Sequence, residues 1–236
     1  YEIRLSLVGS EMCIRDRDNI DNSVQKVIDL LERIPHNYAE ITQRTPYYNM
    51  AATLTDSVLQ AGMNYKSVVY PRVYNILSKY SDYRTTCDFI ILFQTIPIEE
   101  IIQWKNKRKQ NTICNLALYL YNCNINTEDD LAEWILDDGN AESLLEINGV
   151  GRKTIDYMKL LSGQQAIPID RHMFQFLEIA GVLTADYKEA SRILRKTASV
   201  LEVGESVLDK TIWNYMSQKK SDGQMSIFDI FGDIMV

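Results

Sequence analysis

Two residues hold the prospect of chemistry: Lys153, in Gly149-Val150-Gly151-Arg152-Lys153-Thr154, and Asp170, seventeen residues on in Ile169-Asp170-Arg171-His172. An amine and a carboxylate brought to one substrate atom suit nucleophilic attack with acid–base assistance. The amine must be neutral to attack, and the positive end of a helix dipole next to Arg152 is expected to favour loss of its proton. The glycines ahead of the lysine read as a turn, because glycine enters positive φ cheaply and lets a partner approach bare backbone. A helix that restarts straight after such a turn aims amide N–H groups outward, which suits a phosphate. Asp170 equally stands where a helix N-cap would stand, and the two roles are compatible.

These residues need helices to position them, and the hydrophobic spacing supplies helices throughout. The first runs from a cap at Asp21 through Val24, Val27, Leu31 and Ile34 to Pro35, the second from Tyr48 to Ala61, the third from Lys66 to Lys79. Phe89-Ile90-Ile91-Leu92-Phe93 fits a buried strand or a buried helix, and the absence of a partner strand favours helix over Thr86 to Gln94. Pro97 restarts the chain, and a helix then continues or restarts through Ile113, Leu116 and Leu120. Thr127 caps a helix with an acidic first turn, and Asn140 opens the helix that enters the glycine turn. Thr154 to Leu161, Asp170 onward, Asp186 to Val200 and Ser206 to Met216 complete an all-α reading.

Taken together, residues 140 to 162 followed by Ile169-Asp170-Arg171-His172 resemble the helix-hairpin-helix glycosylase superfamily of base-excision repair, nearest in motif to endonuclease III-like enzymes. The resemblance implies two helical subdomains flanking a DNA-binding cleft, with the hairpin as the strand-holding motif. It implies Lys153 as a nucleophile on sugar C1′ and Asp170 as its acid–base partner, giving a DNA N-glycosylase with AP-lyase activity by β-elimination. The DNA contacts it implies are Gly149, Val150, Gly151, Arg152 and Thr154, and the partner is double-stranded DNA with damaged or abasic sites. A wedge side chain is implied from Gln60, Met63 or Asn64. The chain departs from many members in having no cysteine beyond Cys123, so no iron–sulfur cluster is expected, while a monovalent cation at the hairpin is compatible with the motif. Arg171 stands in place of the usual threonine, and Gln175 where an arginine is common. The same glycine-rich hairpin also occurs in modules that only hold DNA, so a non-catalytic helix-hairpin-helix DNA-binding module recruited to a sliding clamp is the alternative.

The bulk numbers constrain the setting. The formal net charge of -7 argues against grip on nucleic acid through overall charge, though not against a local basic face. Such a face would draw on Lys105, Lys107, Arg108 and Lys109, on Arg152 and Lys153, and on Arg192, Arg195 and Lys196; alternatively, residues 105 to 109 are a solvated surface. Cys13, Cys87, Cys114 and Cys123 show neither ligand spacing nor the density of a disulfide scaffold, and His36 and His172 offer no metal site. No apolar run reaches the about 18 residues of a membrane span. The expectation is a monomeric, cytoplasmic protein, nucleoid-associated in a prokaryote.

Residues 6 to 17 resemble translated sequencing-adapter read-through, so 1 to 17 are expected to be non-native and 18 to 216 to form the domain. Residues 217 to 236 read as a flexible tail. Within it, Gln224, Ile227, Phe228 and Phe231 resemble a sliding-clamp-binding peptide, an anchored glutamine with apolar plugs for a preformed pocket.

Overall fold

A computed structural model describes residues 19–35, 45–60 and 62–221. The leader 1–17, His36 and the peptide from Gln224 to Phe231 lie outside the described residues. Twelve α-helices and no strand occur among those described, and no helix is long and apolar enough to cross a membrane. The described residues fall into two compact units, divided at 42/43 and at 168/169.

The middle unit is built around α2 (Met50–Leu59), whose ten residues are all buried. A helix apolar on nearly every face belongs in a core, and α2 packs against α3 (Tyr70–Lys79), α4 (Thr86–Thr95), α6 (Lys107–Asn122) and α9 (Arg152–Leu161). Thr53 Oγ1 donates to Glu128 Oε1 at 2.7 Å and Asp56 accepts from the Tyr47 hydroxyl at 2.5 Å, while the buried Thr55 hydroxyl has no hydrogen-bond partner among the described residues. Glu128 is 3% exposed, and burial raises its carboxyl above the usual glutamate range despite the two hydrogen bonds it accepts, from Thr53 and from the Asn49 amide. The ambiguous apolar run is a helix, α4, fixed at its start by a reciprocal capping box between Thr85 and Asp88.

One boundary differs from the periodicity and another, which the periodicity left open, is decided, each for a local reason. The third helix begins as a π-helical turn, Tyr65–Val69, before α3. The stretch after Pro97 is two helices, α5 (Ile98–Ile102) and α6, because Gln103 turns into the left-handed region at φ 50 and Asn106 caps a new start. In the same unit, α7 (Glu128–Trp134) carries the expected Thr127 cap, and α8 (Asp138–Ser143) begins ahead of Asn140 because Asp137 caps it.

The other unit contains α1 (19–33), α10 (Arg171–Ile179), α11 (Tyr187–Val200) and α12 (Glu205–Ser221). Asp21 is not the cap of α1, which is already helical at residue 19; its carboxylate instead meets Lys196 of α11. Arg195 pairs with Glu205 at 3.1 Å. Two of the three basic side chains expected on a DNA face from α11 therefore hold carboxylates of their own unit. Helix α12 runs five residues past the expected end at 216, so 217–221 are helical rather than the start of a flexible tail.

Candidate functional site

The hairpin is built from α8, one 3-10 turn over Leu144–Glu146, a glycine turn, and α9. The turn closes through the Val150 amide, which donates to the Ile147 carbonyl at 3.0 Å. Gly149 takes φ +92, where side chains other than glycine are strained, and it lies against Thr112 of α6. Thr112 Oγ1 is 2.8 Å from the Asn148 carbonyl, so α6 and the turn are tied at this point.

Gly151 is different. It is extended, at φ -123 and ψ 174, as the N-cap of α9, and a Cβ there would meet none of the described atoms within 4 Å. Positive φ therefore explains the first glycine only. At the second, glycine leaves open space in front of the first-turn amides and brings no side-chain oxygen to cap them.

Lys153 follows in the first turn of α9, half-buried, with its Nζ 5.7 Å from the centroid of the Tyr157 ring. Its neighbour Arg152 donates from both terminal nitrogens to Glu142, at 2.6 and 3.1 Å. On α6, Lys109 is half-buried, with Nζ donating to the Val58 carbonyl at 2.6 Å. Burial holds the Lys109 ammonium below the usual lysine value, and Arg108 and Lys153 lower it further by like-charge repulsion. Also on α6, burial pushes the Cys114 thiol up to about 11.

Asp170, in the other unit, caps α10. Its Oδ1 accepts from the amides of His172 at 2.8 Å and Met173 at 3.2 Å. Its Oδ2 is 3.5 Å from Nδ1 of His172, whose ring meets Trp213 edge-on with centroids 6.5 Å apart. The carboxylate is thus oriented by the backbone it caps.

A family model described as a domain of unknown function, DUF8548, matches residues 25–217, from α1 into α12. The chain belongs to this family. Among curated proteins no sequence matches it. Two solved structures are similar to it. One is a trapped endonuclease III–DNA covalent intermediate in an estranged-adenine complex, 21% identical, with 83% of each chain covered and a TM-score of 0.49. The other is the 8-oxoguanine DNA glycosylase of Thermotoga maritima, 13% identical, covering 83% of this chain and 93% of that one, with a TM-score of 0.47.

Within this DUF8548 chain the residues expected to touch DNA divide sharply. Gly149 and Gly151 sit in the turn as expected. The Val150 amide is spent inside the turn and its side chain is 8% exposed, while Thr154 is 1% exposed and belongs to the core. Arg152 is occupied by Glu142. Gln175, at the place of a common arginine, is 4% exposed and so presents no surface to a strand. Of the wedge candidates, Gln60 donates to Asp56, Met63 packs partly on the core, and Asn64 caps the π-helical turn by accepting from Ser67. Lys109, offered by the sequence either to a basic DNA face or to a solvated surface, is half-buried and bonded to the Val58 carbonyl of α2.

Proposed function

We propose that this DUF8548 protein is a base-excision-repair DNA N-glycosylase with AP-lyase activity. The observation that carries the reading is the placement of Lys153: a half-buried amine in the first turn of a helix whose N-cap is the open glycine Gly151. A sugar–phosphate backbone approaching Gly151 puts a phosphate at the first-turn amides and its sugar beside the lysine. The flipped base leaves as the Lys153 amine bonds to C1′, and the resulting imine allows β-elimination of the 3′ phosphate. Asp170, held as a cap, accepts the proton released or stabilises positive charge on the sugar.

A monovalent cation at the turn carbonyls would assist phosphate binding, and Gln224, Ile227, Phe228 and Phe231 would tether the enzyme to a sliding clamp. Deleting residues 224 to 236 then abolishes clamp pull-down and leaves cleavage of naked DNA unchanged. The reaction itself is tested by incubating the protein with a duplex carrying an abasic site. Nicking that is lost in Lys153→Gln supports the enzyme; binding without nicking leaves a module that only holds DNA.

A further inference from the structure

The π-helical turn Tyr65–Val69 and α3 carry a row of tyrosine rings that the hairpin chemistry leaves unused. In a regular α-helix, at about 100° per residue, Tyr65 and Tyr70 would stand about 140° apart around the axis. The π-helical turn closes instead from the Tyr70 amide to the Tyr65 carbonyl, which brings residues five apart to one face. Their ring centroids are 6.2 Å apart. Tyr74, one α-helical turn on, adds a third ring 6.1 Å from that of Tyr70 and tilted 30° from its plane.

The row faces water. Tyr70 is 52% and Tyr74 60% exposed, and the remaining exposed positions of α3 are Pro71, Ser78 and Lys79. The core of a protein–protein interface sets its aromatic side chains among other apolar groups and is depleted of charge. Here the rings are bordered by polar and basic groups instead. From Ser57 to Ser81 the chain holds Lys66, Arg72 and Lys79 and no acidic residue, in a protein of formal net charge -7. Lys66 and Lys79 are exposed. Arg72 is held in place: its Nε donates to the Gln103 carbonyl at 3.0 Å, its Nη1 donates to the Val68 carbonyl at 2.5 Å, and the guanidinium lies 4.6 Å from the centroid of the Trp104 ring. Helix α5, packed on α3, brings Glu99 and Glu100, of which Glu99 pairs with Lys107 at 3.3 Å.

We propose that Tyr65, Tyr70 and Tyr74 form a second nucleic-acid site, a stacking platform for the unpaired bases of a single strand whose phosphates follow Lys66, Arg72 and Lys79. Every base has a π-face, so stacking on exposed rings needs no particular sequence, and the basic side chains neutralise the backbone. Arg72 and Lys79 stand close to half a turn around the α3 axis from Tyr70. A strand lying along α3 therefore sets its bases toward one flank and its phosphates toward the other. Nothing in this site depends on the role of Lys153.

The test is fluorescence anisotropy with a labelled oligo(dT) of about twelve nucleotides, within the usual reach of such platforms. It compares the unaltered protein, Tyr70→Ala, Tyr74→Ala and Tyr74→Phe. The unaltered protein binds, each alanine weakens binding roughly tenfold, and phenylalanine, which keeps the ring, restores it. A strand of the same length built from base-free sugar analogues binds at least about tenfold more weakly than oligo(dT). Should Tyr70→Ala lower the Tm, Tyr74→Ala, at the more exposed ring, decides alone. Equal affinity of Tyr74→Ala and the unaltered protein overturns the platform. So does equal binding of the base-free strand, which would leave only an attraction of charge. An unaltered protein that ignores oligo(dT) but sediments as a dimer split by Tyr74→Ala gives the row to a second copy of the chain and overturns the proposal as well.

Discussion

Thr112 of α6 holds the glycine turn from behind: its Oγ1 lies 2.8 Å from the Asn148 carbonyl, and its Cβ and methyl would be 3.3 Å from a Cβ on Gly149. Gly149→Ala would add that Cβ at φ +92 and overlap the Thr112 hydroxyl. The strain and the crowding together cost about 1–3 kcal/mol. Thermal denaturation should show a lower Tm, and an unchanged Tm would mean that the turn and α6 are not locked together.

Gly151→Ala separates holding DNA from holding the fold. The position is extended and faces open space, so the alanine leaves the folding stability within about 0.5 kcal/mol of the original. Affinity for an abasic-analogue duplex, read by fluorescence anisotropy, should drop because the methyl stands where the strand would approach. Equal affinity in both proteins would remove the strand from this side of the hairpin.

Much of this was legible in the sequence. Helix existence follows from apolar spacing, and the glycine turn and the Asp170 cap follow from residue types whose backbone roles are narrow. What spacing did not convey is which polar groups become occupied once helices pack. Arg152 and Lys196 read as bare cations until Glu142 and Asp21 are brought beside them. Val150 and Thr154 lie inside the motif, yet the glycine turn sends the first and the first turn of α9 the second to the core while Gly149 and Gly151 stay accessible. Lys109 owes its setting to Val58, fifty-one residues away, a contact that exists only in three dimensions.

Asp170→Asn distinguishes a carboxylate that reacts from one that merely caps. Asparagine caps a helix as well as aspartate, so the amides of His172 and Met173 keep an acceptor and the Tm stays near its original value. Single-turnover base excision should nevertheless fall by about 10²–10⁴-fold, the usual scale of acid–base assistance. Retained excision would reduce Asp170 to a cap.

Glu128→Gln should stabilise the protein at neutral pH. The amide oxygen still accepts from Asn49 and Thr53, and the buried charge is gone. Glu128 keeps its proton to a higher pH folded than unfolded. Stability is therefore lost as the pH climbs from the ordinary glutamate range through the raised folded value, and that loss persists at neutral pH. The variant escapes it, raising Tm by about 2–4 °C for each kcal/mol relieved. The difference should close as the pH falls below the ordinary glutamate range; a variant less stable at neutral pH would contradict the cause assigned to the shift.

The most direct test of the central claim is the identity of the residue that bonds to the sugar. The unaltered protein is reduced with borohydride on an abasic duplex, digested with protease and nuclease, and sequenced by mass spectrometry. The account predicts the reduced sugar remnant on Lys153 and no adduct from Lys153→Gln. A remnant on Lys109, or an adduct that persists in Lys153→Gln, would contradict it.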